Sequence, residues 1–155
     1  MSDNLTYEKD FYRWLMHTAE LIREKKFTEL DTENVAEELE SMGRGEKREL
    51  ISRLAVLLAH LLKWQFQAEK QSRSWKNTLA EQRLRIRLIL EDSPSFTHSF
   101  DEKLIKAYNL ALSSAEKETG LRKDTFPPTC PYSFEQIMNE DFYPAASGGP
   151  ATART

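Results

Sequence analysis

With 155 residues the chain is long enough for one domain and short for two. Apolar residues at 39% and charged residues at 30% exclude a collagen-like or wholly disordered chain. The net charge of −3 has the wrong sign for a nonspecific polyanion binder, so any basic surface must be local.

The lone Cys130 cannot close an intramolecular disulfide, and no cationic stretch followed by an apolar one opens the chain. The longest apolar run, Leu54 to Leu62, is interrupted by His60 and reaches about half of the ~20 residues a membrane span needs. A cytoplasmic protein with no membrane contact is expected.

Eight of the eleven glycines and prolines lie from Gly120 onward, so helices should dominate before it. Tyr7, Phe11, Trp14, Leu15, Thr18, Leu21 and Ile22 recur at helical spacing, which predicts a first helix over about residues 5–26. Asp31 is a good N-cap for a second helix, running to Met42 with Gly43 just past its end. A third, about 45–66, carries Leu50, Ile51, Leu54, Leu57, Leu58, Leu61, Leu62 and Trp64 over more than half its circumference and must be surrounded. Ser74 caps a fourth that stops before Pro94, and a fifth runs from about Thr97 to Glu118 with Gly120 as terminator. After Gly120, Phe126-Pro127-Pro128-Thr129-Cys130-Pro131 forms an irregular strap, and Ser133 with Gln136 makes a capping box for one short helix. The expected architecture is all-α: one domain over 1–144, a bundle of about five main helices, and a disordered tail over 145–155.

Arg53 and His60 lie seven positions apart, about 20° in azimuth and 10 Å along a helix. The spacing matches the Arg-x(4 to 6)-His pattern of the HEPN ribonucleases, in which the histidine handles protons and the arginine stabilises phosphate charge. Glu38 falls at the edge of the apolar stripe of the second helix, where an ionised carboxylate needs a cation, and Arg53, His60 or Lys63 could supply it. Glu38, Arg53 and His60 are therefore the candidate catalytic cluster; the alternative is a Glu49–Arg53 ion pair beside a border histidine. A metal site is not expected. Ser41 stands where helical pyrophosphohydrolases place a third glutamate after Glu37-Glu38, and no Glu-x-x-His pair occurs. No cofactor is implied.

From Lys63 to Arg87 there are seven basic residues, Arg73 and Arg83 among them, against two acidic ones, interleaved with Trp64, Phe66 and Trp75. That is a local signature of nucleic-acid contact, but on a helix Arg85 points roughly 160–200° from Arg83 and Arg87, so the three form no single stripe and the favoured reading is a solvated basic flank. Residues 29–49 are its counterpart, with eight acidic and three basic side chains, so the two regions could pair within a molecule or between copies. Gln82 sits inside the apolar arc of the fourth helix and needs a specific buried partner, while Leu84 and Leu88 lie on its other side, so that helix is either sandwiched or exposes a second apolar patch to a partner.

Taken together, Leu30-Asp31-x-x-Asn34-x-x-Glu37-Glu38-x-Glu40-Ser41, Ser52-Arg53-Leu54 to His60-Leu61-Leu62-Lys63-Trp64, Ser74-Trp75-x-x-Thr78-x-x-x-Gln82-Arg83, Glu118-Thr119-Gly120 and Phe126-Pro127-x-x-Cys130-Pro131 resemble the bacterial domain-of-unknown-function family 29. The resemblance spans about residues 7–144 and implies a small α-helical bacterial protein with no assigned activity. It marks Glu38, Arg53, His60, Lys63, Trp64, Trp75, Gln82 and Arg83 as motif positions, suited to a buried polar network or a site. The favoured function is a non-enzymatic protein-interaction module, perhaps self-associating. The alternatives are nucleic-acid binding or a HEPN-like, metal-independent ribonuclease using Arg53 and His60.

Overall fold

The computed structural model describes residues 3–147, with side chains over 6–147. Among them the protein is all-α: α1 (Asp3–Lys9), α2 (Phe11–Arg23), α3 (Thr32–Phe66), α4 (Arg73–Asp92), α5 (Phe100–Thr119) and α6 (Phe134–Met138), joined through short 3₁₀ turns, with no strand. The chain groups into two compact units, residues 1–46 and 47–155; α3 starts in the first, and its residues 47–66 belong to the second. Of the tail expected over 145–155, residues 148–155 lie outside the described residues, while the Ser147 amide donates to the Gln65 carbonyl at 2.7 Å.

In the first unit the single helix expected over 5–26 is two. Asp10 leaves helical geometry (φ −146°), and its carboxylate accepts from the Arg13 amide, so a residue read as one more helical position is an N-cap. Tyr7, Phe11 and Trp14 cluster across that break, with Tyr7 edge-on to Trp14 at 4.7 Å. At the end of α2 the Lys26 amide bonds to Leu21 O and the Lys25 amide to Ile22 O, a Schellman motif with Lys25 itself at φ +59°. Asp31 then caps α3 as expected, accepting from the Asn34 amide at 3.2 Å.

The predicted second and third helices are one helix of 35 residues. Gly43 reads as a stop, but neither it nor Gly45 adopts positive φ, and a methyl group at either would meet nothing within 4 Å. Glycine in a helix interior is a penalty of about 1 kcal/mol rather than a block.

The second unit is built around α3. Leu50, Leu54, Leu57, Leu58, Leu61 and Leu62 are fully buried, as the apolar circumference requires. Leu79 and Ile86 of α4 join this core, and α5 adds Ala107, Ala111 and Ala115, small side chains at four-residue spacing that permit close helix approach. The α4 N-cap is Ser72 rather than Ser74, its hydroxyl accepting from the Trp75 amide at 3.2 Å. Helix α5 starts at Phe100 rather than Thr97, because Pro94–Thr97 forms a 3₁₀ turn; Gly120 ends it at φ +78°.

The strap closes over this core through side chains. Phe126 packs edge-on against Phe66 at 5.4 Å, the Tyr108 hydroxyl donates to Pro127 O at 2.7 Å, and the Tyr132 hydroxyl donates to Gln65 Oε1 at 2.6 Å. Burial pushes both tyrosine hydroxyls well above their ordinary pKa. Ser133 and Gln136 form the expected capping box of α6. The other end of this short helix is satisfied by Arg83 of α4, only 1% exposed: Nε donates to Ile137 O at 2.8 Å, and Nη2 donates to Phe142 O at 3.0 Å and Gln136 O at 3.3 Å. No helix of the described residues is long and apolar enough to cross a membrane.

Candidate functional site

Within the second unit, the polar motif positions of α3 and α4 meet along one seam. Arg53 and His60 are two turns apart on α3; Gln82 and Trp75 are two turns apart on α4 and pair with them in antiparallel order. Arg53 Nη1 donates to Gln82 Oε1 at 3.3 Å, and His60 lies edge-on to Trp75 with ring centres 6.5 Å apart. Gln82, which needed a partner, finds it in Arg53.

Arg53 is also held by Glu49 one turn earlier, Nε to Oε2 at 2.7 Å, in the ion pair that the i,i+4 spacing allowed. The Arg53 side chain is partly exposed, at 27%, yet its guanidinium is already engaged on two sides. His60 Nδ1 lies 2.9 Å from Val56 O, and since a carbonyl only accepts, Nδ1 carries the proton. Burial, helped by the Lys63 charge, holds its pKa below the ordinary histidine value, against the opposing pull of the Val56 bond and Glu118. At neutral pH the ring is uncharged, with its acceptor lone pair on Nε2.

Lys63 is 7% exposed, ion-paired to Glu118 at 2.7 Å, with Nζ 5.1 Å from the centre of the Trp75 ring. The Glu118-Thr119-Gly120 signature thus supplies both the counter-charge for Lys63 and the terminator of α5. Trp64 is a core residue packed 4.9 Å from Tyr143. Beside the seam, Arg73, Ser74, Asn77, Thr78, Glu81 and Gln82 line an open polar groove of about 550 Å³ along one face of α4.

Glu38 does not join this set. Its partner is the Tyr7 hydroxyl, within the first unit, and that bond raises the Tyr7 pKa to about 12. Sequence reasoning offered Glu38 only cations and passed over Tyr7, which had been assigned to an apolar face. The basic run also disperses. Arg83 caps α6, Lys63 pairs with Glu118, Arg87 with Glu140 at 2.8 Å, and Arg85 lies 3.6 Å from Glu81. Among the described residues no group of three or more histidine, cysteine or acidic side chains is placed to hold a metal ion.

A family described as "Domain of unknown function DUF29" matches residues 6–143, from within α1 through α6 and including the strap. The chain belongs to this family. Searches among curated proteins and among solved structures found no match. The DUF29 match takes in both units and every residue of the seam, and carries no activity with it.

Proposed function

We propose that this DUF29 protein is a non-enzymatic interaction module that associates with further copies of itself through its first unit. The observation that supports this is the imbalance of apolar side chains in residues 1–46. Among its described side chains two large ones, Trp14 and Leu21, are buried, whereas eight are exposed, including Tyr12 (72%), Met16 (53%), Leu39 (64%) and Met42 (68%). A folded unit that exposes more apolar residues than it encloses is suited to being covered.

Charge selects the partner. Residues 1–46 carry 12 acidic and 6 basic side chains, net −6; residues 47–155 carry 13 acidic and 16 basic, net +3. The first unit of one molecule is complementary in sign to the second unit of another, which favours heterologous contact and faster encounter at low salt. The ribonuclease reading has less support, because Arg53 is engaged by Glu49 and Gln82 and Glu38 is bonded to Tyr7.

Sedimentation of the full chain tests the proposal. Mass should rise with protein concentration, the association should weaken with added NaCl, and Leu39→Ser with Met42→Ser should return the protein to monomer without changing its circular dichroism. A monomer at every concentration and salt would refute it.

A further inference from the structure

A second groove in the second unit, between α3 and α5, has a different chemistry. Arg48 and Lys106 approach it from the two helices, and Lys123 from the 3₁₀ turn Lys123–Thr125. None of the three side chains makes a hydrogen bond or ion pair among the described residues, and no carboxylate lines the groove. Of the nearby carboxylates, Glu49 is bonded to Arg53 at 2.7 Å and Asp124 to Arg122 at 2.9 Å, and Glu102, one turn before Lys106 on α5, makes no ion pair with it. Three like charges converging from three separate elements repel one another.

The rest of the lining is suited to a ligand. Ser52 and Ser113 offer hydroxyls on either side, Asn109 an amide, and Ile51 and Leu110 an apolar wall; the volume is about 650 Å³. Arg48 and Ser52 are one helical turn apart on α3, and Lys106, Leu110 and Ser113 share a face of α5, so regular helices set the arrangement. A guanidinium with two ammonium groups matches a phosphate, which takes forked and point-charge donors together. The apolar wall and amide match a flat, partly apolar body with polar edges.

We infer that the α3/α5 groove is a binding site for a nucleoside phosphate, with the phosphate held by Arg48, Lys106 and Lys123 and the base against Ile51 and Leu110. The groove lies apart from the first unit's apolar face, but its cations belong to the positively charged second unit invoked for self-association, and titration with ATP tells the two roles apart.

Calorimetric titration of the full chain with ATP, AMP and adenosine is the test. ATP should bind more tightly than AMP, adenosine should not bind, and ATP affinity should fall as salt rises through about 0.15 M. Arg48→Gln and Lys106→Gln should each weaken ATP binding about tenfold. Lys117→Gln, an exposed cation of α5 outside the groove, should leave it unchanged while altering net charge equally. All three positions are exposed, so thermal melts should match the wild type. Absence of binding by ATP at low salt, or adenosine binding as well as ATP, would overturn the inference. So would a single-stranded RNA oligomer whose binding depends on Arg48 and Lys106 but resists competition by ATP, since the groove would then take a polynucleotide. A self-association that Lys106→Gln abolishes, in a protein that ignores ATP, would assign the groove to an acidic protein surface and overturn it equally.

Discussion

Replacing Gly43 and Gly45 with alanine tests the continuity of α3 directly. Both lie inside a 35-residue helix, neither has positive φ, and the added methyl meets nothing within 4 Å at either position, so no steric term opposes the change. What remains is backbone entropy and helix propensity, about 0.5–1 kcal/mol per glycine in a helix interior. The double variant should gain roughly 1–2 kcal/mol, the sites being exposed or half-buried and separated by one residue. At about 2–4 °C per kcal/mol for a chain of this size, the melting temperature should rise by roughly 2–8 °C. In urea the midpoint should move up with an unchanged slope, and the helical signal at low denaturant should stay the same, because the residues are helical already. A fall in midpoint would mean that residues 43–45 need conformations reserved to glycine. A gain in helical signal would mean that the helix is broken there in solution. Either result refutes the single helix.

Three further outcomes follow from the caps and the seam. Arg83→Met should cost about 3–5 kcal/mol in urea unfolding, since it leaves three carbonyls without their charged donor, and Arg83→Lys should recover only part, because one ammonium cannot span the positions reached by Nε and Nη2; a lysine variant as stable as wild type would refute this role. Lys25→Gly should stabilise α2 by about 0.5–1 kcal/mol in thermal melts, because φ +59° at the end of a Schellman motif suits glycine better than lysine. His60 has a folded pKa below its ordinary value of 6.5, so the unfolded chain binds the proton more readily; its contribution to stability is complete above that pH and is lost as pH falls below it. The drop in melting temperature between neutral and mildly acidic pH should therefore be smaller in His60→Gln than in wild type, and an equal drop would rule the histidine out.

Much of the second unit was legible in the sequence because the apolar arc of residues 50–64 admits only a surrounded helix. Gly120, Asp31 and the Ser133/Gln136 box were legible because each has a local chemical purpose. The glycines misled. Gly43 and Gly45 have the residue type of a terminator and lie in mid-helix, while Lys25 and Ser99 occupy left-handed positions that glycine would suit. Propensity at a single position is worth about 1 kcal/mol, less than packing or a cap can override. Within the candidate site, the Glu49–Arg53 pair and the common side of Arg53 and His60 follow from helical periodicity alone. The bonds Tyr7–Glu38, Lys63–Glu118 and Arg83 to the carbonyls of Gln136, Ile137 and Phe142 span 31 to 59 residues and have no local signal. Lys106 and Lys123 gave none either, since their convergence with Arg48 exists only after α5 has packed on α3.

The Arg83 cap also bears on how the chain is made. Its acceptors lie up to 59 residues downstream, at Gln136, Ile137 and Phe142, and Gln65 waits for Tyr132 and Ser147 in the same way. At about 5–20 residues per second, a ribosome leaves Arg83 without those carbonyls for roughly 3–12 s. For that interval the segment around α4 must stay hydrated at Arg83 and cannot settle into its final core. The strap and α6 are made after the helices they close over, so a chain truncated before Phe142 should emerge as an open helical assembly, with the destabilisation concentrated where α4 meets the missing end.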